Sequence, residues 1–168
     1  YAVDNNEPER ATEHLYLFSN LYRHLLLTSD KYQCSLRDEL NFTENYLKME
    51  QLRFRDKYSY SISIDKDINQ ESGIPKMCIQ TAVENAMKHG IAHLKTAGEI
   101  TIKGSLVNNR LVIDVRDNGI GREASKKIHS SSTRKGIQLT QQYFDLYTKI
   151  TSRQVSSVII DLSDDSGY

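Results

Sequence analysis

The chain has 168 residues, with 22 basic and 22 acidic side chains, so its formal net charge is zero. This length suits one compact domain with an added element, and the balanced charge gives no sign of a nucleic-acid partner or an anionic membrane surface. No stretch approaches the roughly 20 apolar residues of a membrane span, and we expect no signal peptide at the start.

The first residue, Tyr1, is not a natural start, which predicts that the chain is a piece of a longer protein. That longer protein could still be anchored in a membrane upstream of this piece. The two cysteines, Cys34 and Cys78, are far apart in sequence and lack metal-ligand spacing. We expect two reduced core thiols in a cytosolic protein.

Residues 8–29 are predicted to form a helix, because apolar side chains recur there at a/d-like spacing. These are Leu15, Phe18, Tyr22 and Leu25. The pattern fits either a helix packed on its own domain or half of a helical hairpin that dimerises. It covers too few heptads to decide between the two.

A second helix is predicted from a capping box at Ser35 and Asp38 to about Arg55. One face of this helix is apolar and carries Leu36, Leu40, Leu47 and Phe54. Four charged residues are predicted to lie off that face or at its edge, namely Glu39, Glu44, Lys48 and Glu50.

Three segments alternate between apolar and polar residues and are predicted to be strands, at 58–64, 99–106 and 110–116. A hairpin turn at 107–109 joins the last two, because asparagine tolerates positive φ. Between the first two strands, a loop at 65–73 precedes a helix. Ile74-Pro75 is predicted to start that helix and Gly90 to end it after His89.

The last part is predicted to hold a short helix at 121–128, a polar and mobile segment at 129–135, a helix at 136–149 and a strand at 154–162. The order of elements predicts an α+β fold. We expect a two-layer α/β sandwich, with a mixed or antiparallel sheet, helices on one face and an N-terminal helix before it. A doubly wound parallel fold needs strict strand–helix alternation, which the chain lacks.

Two segments carry most of the chemical information. In the first, 84–90, Asn85 offers a neutral carboxamide oxygen of the kind that Mg²⁺ bound to ATP accepts. Without the second segment, Asn85 would be interpreted as an ordinary polar residue on the surface of a helix. In the second, 117–121, Asp117 is either a turn-forming residue or a carboxylate that accepts the exocyclic amine of adenine. Gly119 and Gly121 permit close backbone contact with a nucleotide.

Charged side chains near these segments suit a polyphosphate. Lys88 and His89 follow Asn85 by three and four residues and could reach phosphates from the same helix face, while Glu84 could orient a water or a phosphoacceptor. Gly136 precedes a predicted helix whose free N–H groups could bind phosphate, with Lys135 adding positive charge. The alternative for that segment is a plain loop-to-helix junction.

In this order, the segments resemble the ATP-binding domain of sensor histidine kinases, within the wider family of gyrase-type ATPases and heat-shock-protein-90 chaperones. Residues 84–89 look like the family's N box, and residues 117–121 look like its first glycine box. The segments 36–40, 45–50 and 52–54, with Ile74-Pro75 and Gln80, narrow the resemblance to the LytS-like sensor kinases.

The resemblance implies a kinase that transfers the γ-phosphate of ATP to a histidine and then to an aspartate of a response regulator. It makes Asn85 the Mg²⁺ ligand, Asp117 the adenine-binding residue, and Gly119 and Gly121 the lining of the base. It assigns residues 1–34 to the end of a dimerisation and phosphoacceptor hairpin, and residues 35–168 to the ATP-binding catalytic domain. It also implies a homodimer and the cytoplasmic part of a sensor anchored in the inner or plasma membrane.

The chain departs from that pattern in three places. The phosphoacceptor histidine is absent and is expected upstream, so the piece alone should not autophosphorylate. The second glycine box keeps only Gly136, with Arg134 and Gln138 where further glycines are expected. A final strand led by Gly-Thr is missing. These departures leave open a degenerate kinase that serves as a dimeric scaffold, and a third possibility is an anti-sigma-type serine kinase.

Overall fold

The computed structural model describes residues 12, 15–19, 31–54, 57–122, 124–125 and 132–162. They belong to two compact units, Tyr1–Gly119 and Ile120–Tyr168. After a short helical stretch at 15–19, the elements of the first unit are β1 (Gln33–Ser35), α1 (Leu36–Phe54), β2 (Tyr58–Ile64), β3 (Gly73–Pro75), α2 (Cys78–His89), a 3-10 turn (Ile91–His93), β4 (Gly98–Val107) and β5 (Arg110–Asp117). The second unit contains α3 (Ser132–Thr151).

The main sheet has three strands in the order β2-β4-β5. The β2 and β4 strands are parallel, with Tyr58 opposite Gly98, and β4 and β5 form an antiparallel hairpin. Asn108 and Asn109, at the tip of this hairpin, have φ of 51° and 61°. The three strands predicted at 58–64, 99–106 and 110–116, the asparagine turn and the α+β class with a mixed sheet are therefore confirmed.

The core of the first unit lies between this sheet and the apolar faces of α1 and α2. Ile100 and Ile102 of β4 are completely buried, whereas Lys103 on the other face of the strand is exposed. Burial of each such aliphatic side chain stabilises the fold by about 1.5 to 3 kcal/mol. The helix residues of this core include Leu36, Leu40, Leu47, Ile79, Val83 and Met87.

The α1 helix begins as predicted, because the N–H of Asp38 donates to Oγ of Ser35 at 3.0 Å. The prediction that all its charged residues avoid the apolar face is wrong, however. Glu39 is completely buried, and Glu50 is only 5% exposed. Each carboxylate has donors that make its burial possible: backbone N–H groups of α2 for Glu39, and Arg53 for Glu50.

The prediction that Ile74-Pro75 opens a helix is also wrong. These residues belong to β3, which pairs antiparallel with β1 and places Ile74 opposite Cys34. The helix starts at Cys78, after Met77 in the left-handed conformation with φ 61°. Proline tolerates the end of a short strand, because such a position needs no backbone donor. The predicted end is confirmed, since the N–H of Gly90 donates to the carbonyl of Ala86.

In the second unit, α3 starts at Ser132, four residues earlier than predicted. The prediction that Gly136 precedes this helix is therefore wrong: Lys135 and Gly136 lie inside it. Residues 132–135 of the predicted mobile segment are helical, and residues 129–131 lie outside the described part. At the other end, Ser152 has φ 58° and its N–H donates to the carbonyl of Thr148, which closes the last turn.

Residues 152–162 of the second unit form no strand, so the strand predicted at 154–162 is wrong. Val158 and Ile160 are 81% and 72% exposed. Strand formation needs a hydrogen-bonding partner as well as alternation, and no described strand pairs with this segment. Of the short helix predicted at 121–128, residues 122, 124 and 125 are helical, residue 121 is not, and residues 123 and 126–128 lie outside the described part.

The helix predicted at 8–29 is described only at residue 12 and at residues 15–19, which are helical. Within that stretch Leu17 is buried, whereas Leu15 and Phe18 of the predicted stripe are 67% and 59% exposed. Tyr22 and Leu25 lie outside the described residues. Over the described ranges, no helix combines the length and the apolarity needed to cross a membrane.

Candidate functional site

The amphipathic sequence of α2 places several predicted site residues on one solvent-facing side. Ile79, Val83 and Met87 face the core. Glu84, Asn85 and Lys88 are exposed, and His89 is half-buried. Residues three or four apart in a helix share a face. The structure therefore places Glu84, Asn85 and Lys88 on the exposed side of α2, and their roles at a site remain predictions.

The start of α2 is held by a buried carboxylate from another helix. Oε2 of Glu39 accepts the N–H of Met77 at 2.8 Å, and Oε1 accepts those of Ile79 at 3.0 Å and Gln80 at 3.2 Å. These are N–H groups of the first turn, which a helix cannot satisfy internally. No side chain at the N-cap position makes such a bond. Glu39 therefore fixes the helix that carries the candidate site.

Beyond the other end of α2, Gly90 lies against the turn that follows β5. Oδ1 of Asp117 accepts the N–H of Gly119 at 2.9 Å, which closes an Asx-type turn. A Cβ atom on Gly90 would lie 2.4 Å from Oδ1 of Asp117, and one on Gly119 would lie 2.3 Å from Cα of Gly90. The two glycines thus let the two predicted motifs meet through direct backbone contact.

Asn118 anchors this turn, although sequence reasoning assigned it no role beyond turn formation. Its N–H donates to the carbonyl of Glu99 at 3.2 Å, and its Oδ1 accepts the N–H of Glu99 at 2.7 Å. Asn118 thereby extends the pairing of β5 with β4 and fixes the position of Asp117. The tendency of asparagine side chains to hydrogen-bond with backbone groups could have suggested a structural role for Asn118. The position of its partner, Glu99 on β4, could not be predicted from the sequence.

Gly121 belongs to the second unit and has a different requirement from Gly119. Its φ is +76°, and a Cβ atom placed there would meet nothing within 4 Å. Backbone conformation rather than space therefore favours glycine at this position. Lys135 and Gly136 lie within α3. The nucleotide-binding roles of these three residues remain predictions.

The carboxylate of Asp117 is partly shielded from water at the end of β5. This desolvation raises the pKa of Asp117, while the hydrogen bond from the N–H of Gly119 acts in the opposite direction. In its ionised form this carboxylate can accept charge-assisted hydrogen bonds.

A second acidic group lies near Glu84 on the neighbouring helix. Burial raises the pKa of Glu50, Arg53 lowers it through an ion pair at 3.1 Å, and the charge of Glu84 raises it further. Burial also raises the pKa of Tyr46, with contributions from the charges of Glu50 and Glu84. Glu50 is therefore a like charge near Glu84, and its ion pair with Arg53 partly offsets that charge.

The two cysteines, Cys34 and Cys78, are free thiols in the structure. Both are half-buried, and Sγ of Cys34 donates to Oε2 of Glu39 at 3.5 Å. Among the described residues, no group of three or more His, Cys, Asp or Glu side chains is arranged to hold a metal ion. A cation at this site would need ligands from a bound molecule or from water.

Comparison with known proteins identifies one matching family and several relatives. The family model described as "Histidine kinase" matches residues 1–58. Sensor histidine kinase YpdA of Escherichia coli strain K12 is 36% identical over 114 residues, covering 68% of this chain and 20% of YpdA. Sensor protein LytS of Staphylococcus saprophyticus is 36% identical over 115 residues, covering 68% of this chain and 19% of LytS.

Sensor protein kinase HptS of Staphylococcus aureus strain USA300 is 32% identical over 119 residues, covering 71% of this chain and 22% of HptS. The chain thus spans about a fifth of the length of the curated relatives that it matches.

Proposed function

Because this chain belongs to the LytS-like sensor histidine kinases, we propose that residues 35–168 are the domain that binds ATP and supplies its γ-phosphate to a histidine. Residues 1–34 then end the dimerisation and phosphoacceptor hairpin. The observation that carries this proposal is the contact between the end of α2 and the Asp117 turn. This contact brings the end of α2, the helix that carries Asn85, against the turn that carries Asp117. The carboxylate of Asp117 is suited to binding adenine.

Recognition of adenine is assigned to Asp117. Its Oδ1 is occupied by the N–H of Gly119, whereas no described residue donates to its Oδ2. Oδ2 can therefore accept the exocyclic amine of adenine in a charge-assisted hydrogen bond. Guanine presents a carbonyl oxygen at the equivalent position, which the carboxylate would repel.

Asn85 fits the role of a single protein ligand to Mg²⁺. Its carboxamide is exposed on α2 and adds no negative charge beside a triphosphate. Mg²⁺ is commonly held by one or two protein oxygens, with water and phosphate oxygens completing an octahedron. When bound, the metal offsets charge on the transferring phosphoryl group.

The remaining polar residues of α2 suit the transfer step. Lys88 and His89 would offset negative charge on the phosphates, and Glu84 would accept the N–H of the phosphoacceptor imidazole. The other imidazole nitrogen forms a bond to the γ-phosphorus as the bond from that phosphorus to the β–γ bridging oxygen breaks. ADP leaves with the electron pair.

The wider context follows from the same proposal. The phosphoacceptor histidine lies upstream in the parent protein, a response regulator aspartate receives the phosphoryl group, and the N-terminal hairpin forms a homodimer. The parent protein is anchored in the inner or plasma membrane, and this domain faces the cytoplasm. No nucleic-acid partner is proposed.

Calorimetric titration with ATP and with GTP, each with and without Mg²⁺, tests the proposal. We expect binding that selects ATP, requires Mg²⁺ for full affinity and is lost in Asp117→Asn. Asn85→Ala should remove the Mg²⁺ dependence while leaving part of the affinity for the base. Absence of ATP binding at millimolar concentration in a folded protein would reject the proposal.

The alternative is a degenerate kinase that serves as a dimeric scaffold. It is favoured by the replacement of glycines around Gly136 and by the helical conformation of residues 132–136. A helix at this position leaves less freedom for a loop that wraps around phosphates. Histidine phosphorylation by the full-length protein at a rate similar to that of its relatives would exclude this alternative.

A further inference from the structure

Gln80 is a polar residue on the core-facing side of α2, and it is only 6% exposed. Its Nε2 donates to Oε2 of Glu84 at 3.2 Å, one helical turn further along. Its Oε1 is buried and, among the described residues, receives no hydrogen bond. A buried amide with half of its hydrogen-bonding capacity unused costs free energy. Stability of the fold alone would favour an apolar side chain of the same size.

The backbone of Gln80 is itself fixed. Its N–H donates to the buried Oε1 of Glu39 at 3.2 Å. A continuous set of hydrogen bonds therefore leads from Glu39 in the core, through Gln80, to the exposed carboxylate of Glu84. A side chain held at its backbone and at its tip limits the orientations open to its partner.

Glu84 needs such a restraint, because a like charge lies close by. The carboxylate of Glu50 interacts electrostatically with Glu84 and is paired with Arg53. Repulsion between the two carboxylates disfavours orientations of Glu84 that approach Glu50. The hydrogen bond from Nε2 of Gln80 holds the carboxylate of Glu84 in one orientation against this repulsion.

We propose that Gln80 is a positioning residue, which orients the carboxylate of Glu84 so that it accepts the N–H of the phosphoacceptor imidazole. This inference rests on the role given to Glu84 in the proposed function. Gln80 itself is buried and does not touch the substrate. Misplacement of a reacting group by about 1 Å lowers rates by up to about a hundredfold, so loss of this hydrogen bond should act on the rate of transfer.

The test uses the full-length kinase and Gln80→Met, which removes the amide while keeping the volume of the side chain. We expect the maximal rate of histidine phosphorylation to fall by about tenfold. The KM for ATP should change less than about twofold, since no contact with the nucleotide is lost. The thermal midpoint should stay the same or rise, because the buried amide is gone.

Gln51→Met is the matched control. The side chain of Gln51 donates to the carbonyl of Tyr58 at 3.2 Å. Among the described residues, no hydrogen bond links Gln51 to Glu84. This variant should lower the thermal midpoint while leaving the maximal rate unchanged. A merely structural role for Gln80 would instead give it the same behaviour as Gln51.

A double-mutant cycle with Glu84→Gln separates the possible failures. If Gln80 acts through Glu84, Gln80→Met should have little further effect on the rate in the Glu84→Gln background. An equal fold-loss in both backgrounds overturns the positioning role. If Glu84→Gln alone leaves the rate intact, the role of Glu84 in the proposed function fails first, and the inference fails with it.

Discussion

Oε1 of Glu39 accepts the backbone N–H of Ile79 at 3.0 Å, although the two residues lie 40 positions apart in the sequence. Glu39 is completely buried in α1, and its charge lies at the positive end of α2. The desolvation of a buried carboxylate is costly, and three N–H donors together offset that cost. The orientation of the candidate site helix thus depends on a residue outside it.

Substitution of Glu39 by alanine should lower the free energy of unfolding by about 3 kcal/mol or more, because three first-turn N–H groups lose their acceptor. Urea denaturation provides the measurement. Glu71→Ala is the control, since Glu71 pairs with Arg37 at the surface and such pairs contribute at most about 1 kcal/mol. Similar losses in the two variants would contradict the capping role.

Asp117→Asn should separate ATP binding from stability. The substituted amide keeps an oxygen for the N–H of Gly119 but loses the charge that would hold adenine, so ATP affinity should fall by at least about tenfold. The raised pKa means that ionisation of Asp117 costs stability above that pKa. The thermal midpoint at pH 7 should therefore be unchanged or higher.

If Asp117 binds adenine as proposed, the same group should give ATP binding a pH dependence. As the pH falls through the raised pKa of Asp117, the acceptor is protonated, and affinity should decrease while this contribution to folding stability is regained. Calorimetry from pH 7 to pH 4.5 measures the change. Asp114→Asn, which alters a surface pair with Arg116 on the same strand, should leave the profile intact. A flat profile in the unmodified protein would argue against Asp117.

The two glycines after Asp117 should respond differently to substitution. Gly119→Ala places Cβ against the backbone of Gly90 and should cost about 3 kcal/mol. Gly121→Ala meets no steric obstacle and should cost only about 1 to 2 kcal/mol, through its left-handed backbone. Gly121→Asn should be milder still, because asparagine tolerates that conformation. Equal losses for Gly119→Ala and Gly121→Ala in chemical denaturation would refute this distinction.

The thiols should be poorly reactive in the folded protein. Burial, followed by the charge of Glu39, raises the pKa of Cys34 to about 12 and also raises the pKa of Cys78. Because the thiolate is the reactive form, alkylation by iodoacetamide at pH 8 should be more than about 50-fold slower than in denaturant. Mass spectrometry of timed samples measures it. Equal rates in the two conditions would show that these environments are not maintained in solution.

Local patterns were enough to predict most of the sheet and the end of α2. The alternation in 58–64 and 110–116 and the asparagine pair at 108–109 act over a few residues, so they can be read directly. The β1–β3 pair could not be predicted, since three-residue strands are too short to show a period. Because Gly73–Pro75 pairs with β1, α2 starts only at Cys78, after Pro75. The start of α2 therefore depends on a long-range strand pairing.

The candidate site divides in the same way. The exposed face of α2 with Glu84, Asn85 and Lys88 follows from helical periodicity. The packing of Gly119 on Gly90 and the hydrogen bonds of Asn118 to Glu99 depend on how separate elements meet. The burial of Glu39 ran against the usual exposure of glutamate, because its partners come from a distant part of the chain.

The parallel pairing of β2 with β4 also affects how the sheet beside the candidate site forms during folding. The β4–β5 hairpin is local, but Tyr58 meets Gly98 only once the intervening chain, including α2, has closed a loop of about 40 residues. Closure of such loops slows folding, because entropy is lost before contacts compensate for it. The sheet with the strand order β2-β4-β5 is therefore complete only after this loop has closed. A substitution that delays this closure should slow completion of the sheet in refolding experiments, even where the stability of the folded protein is unchanged.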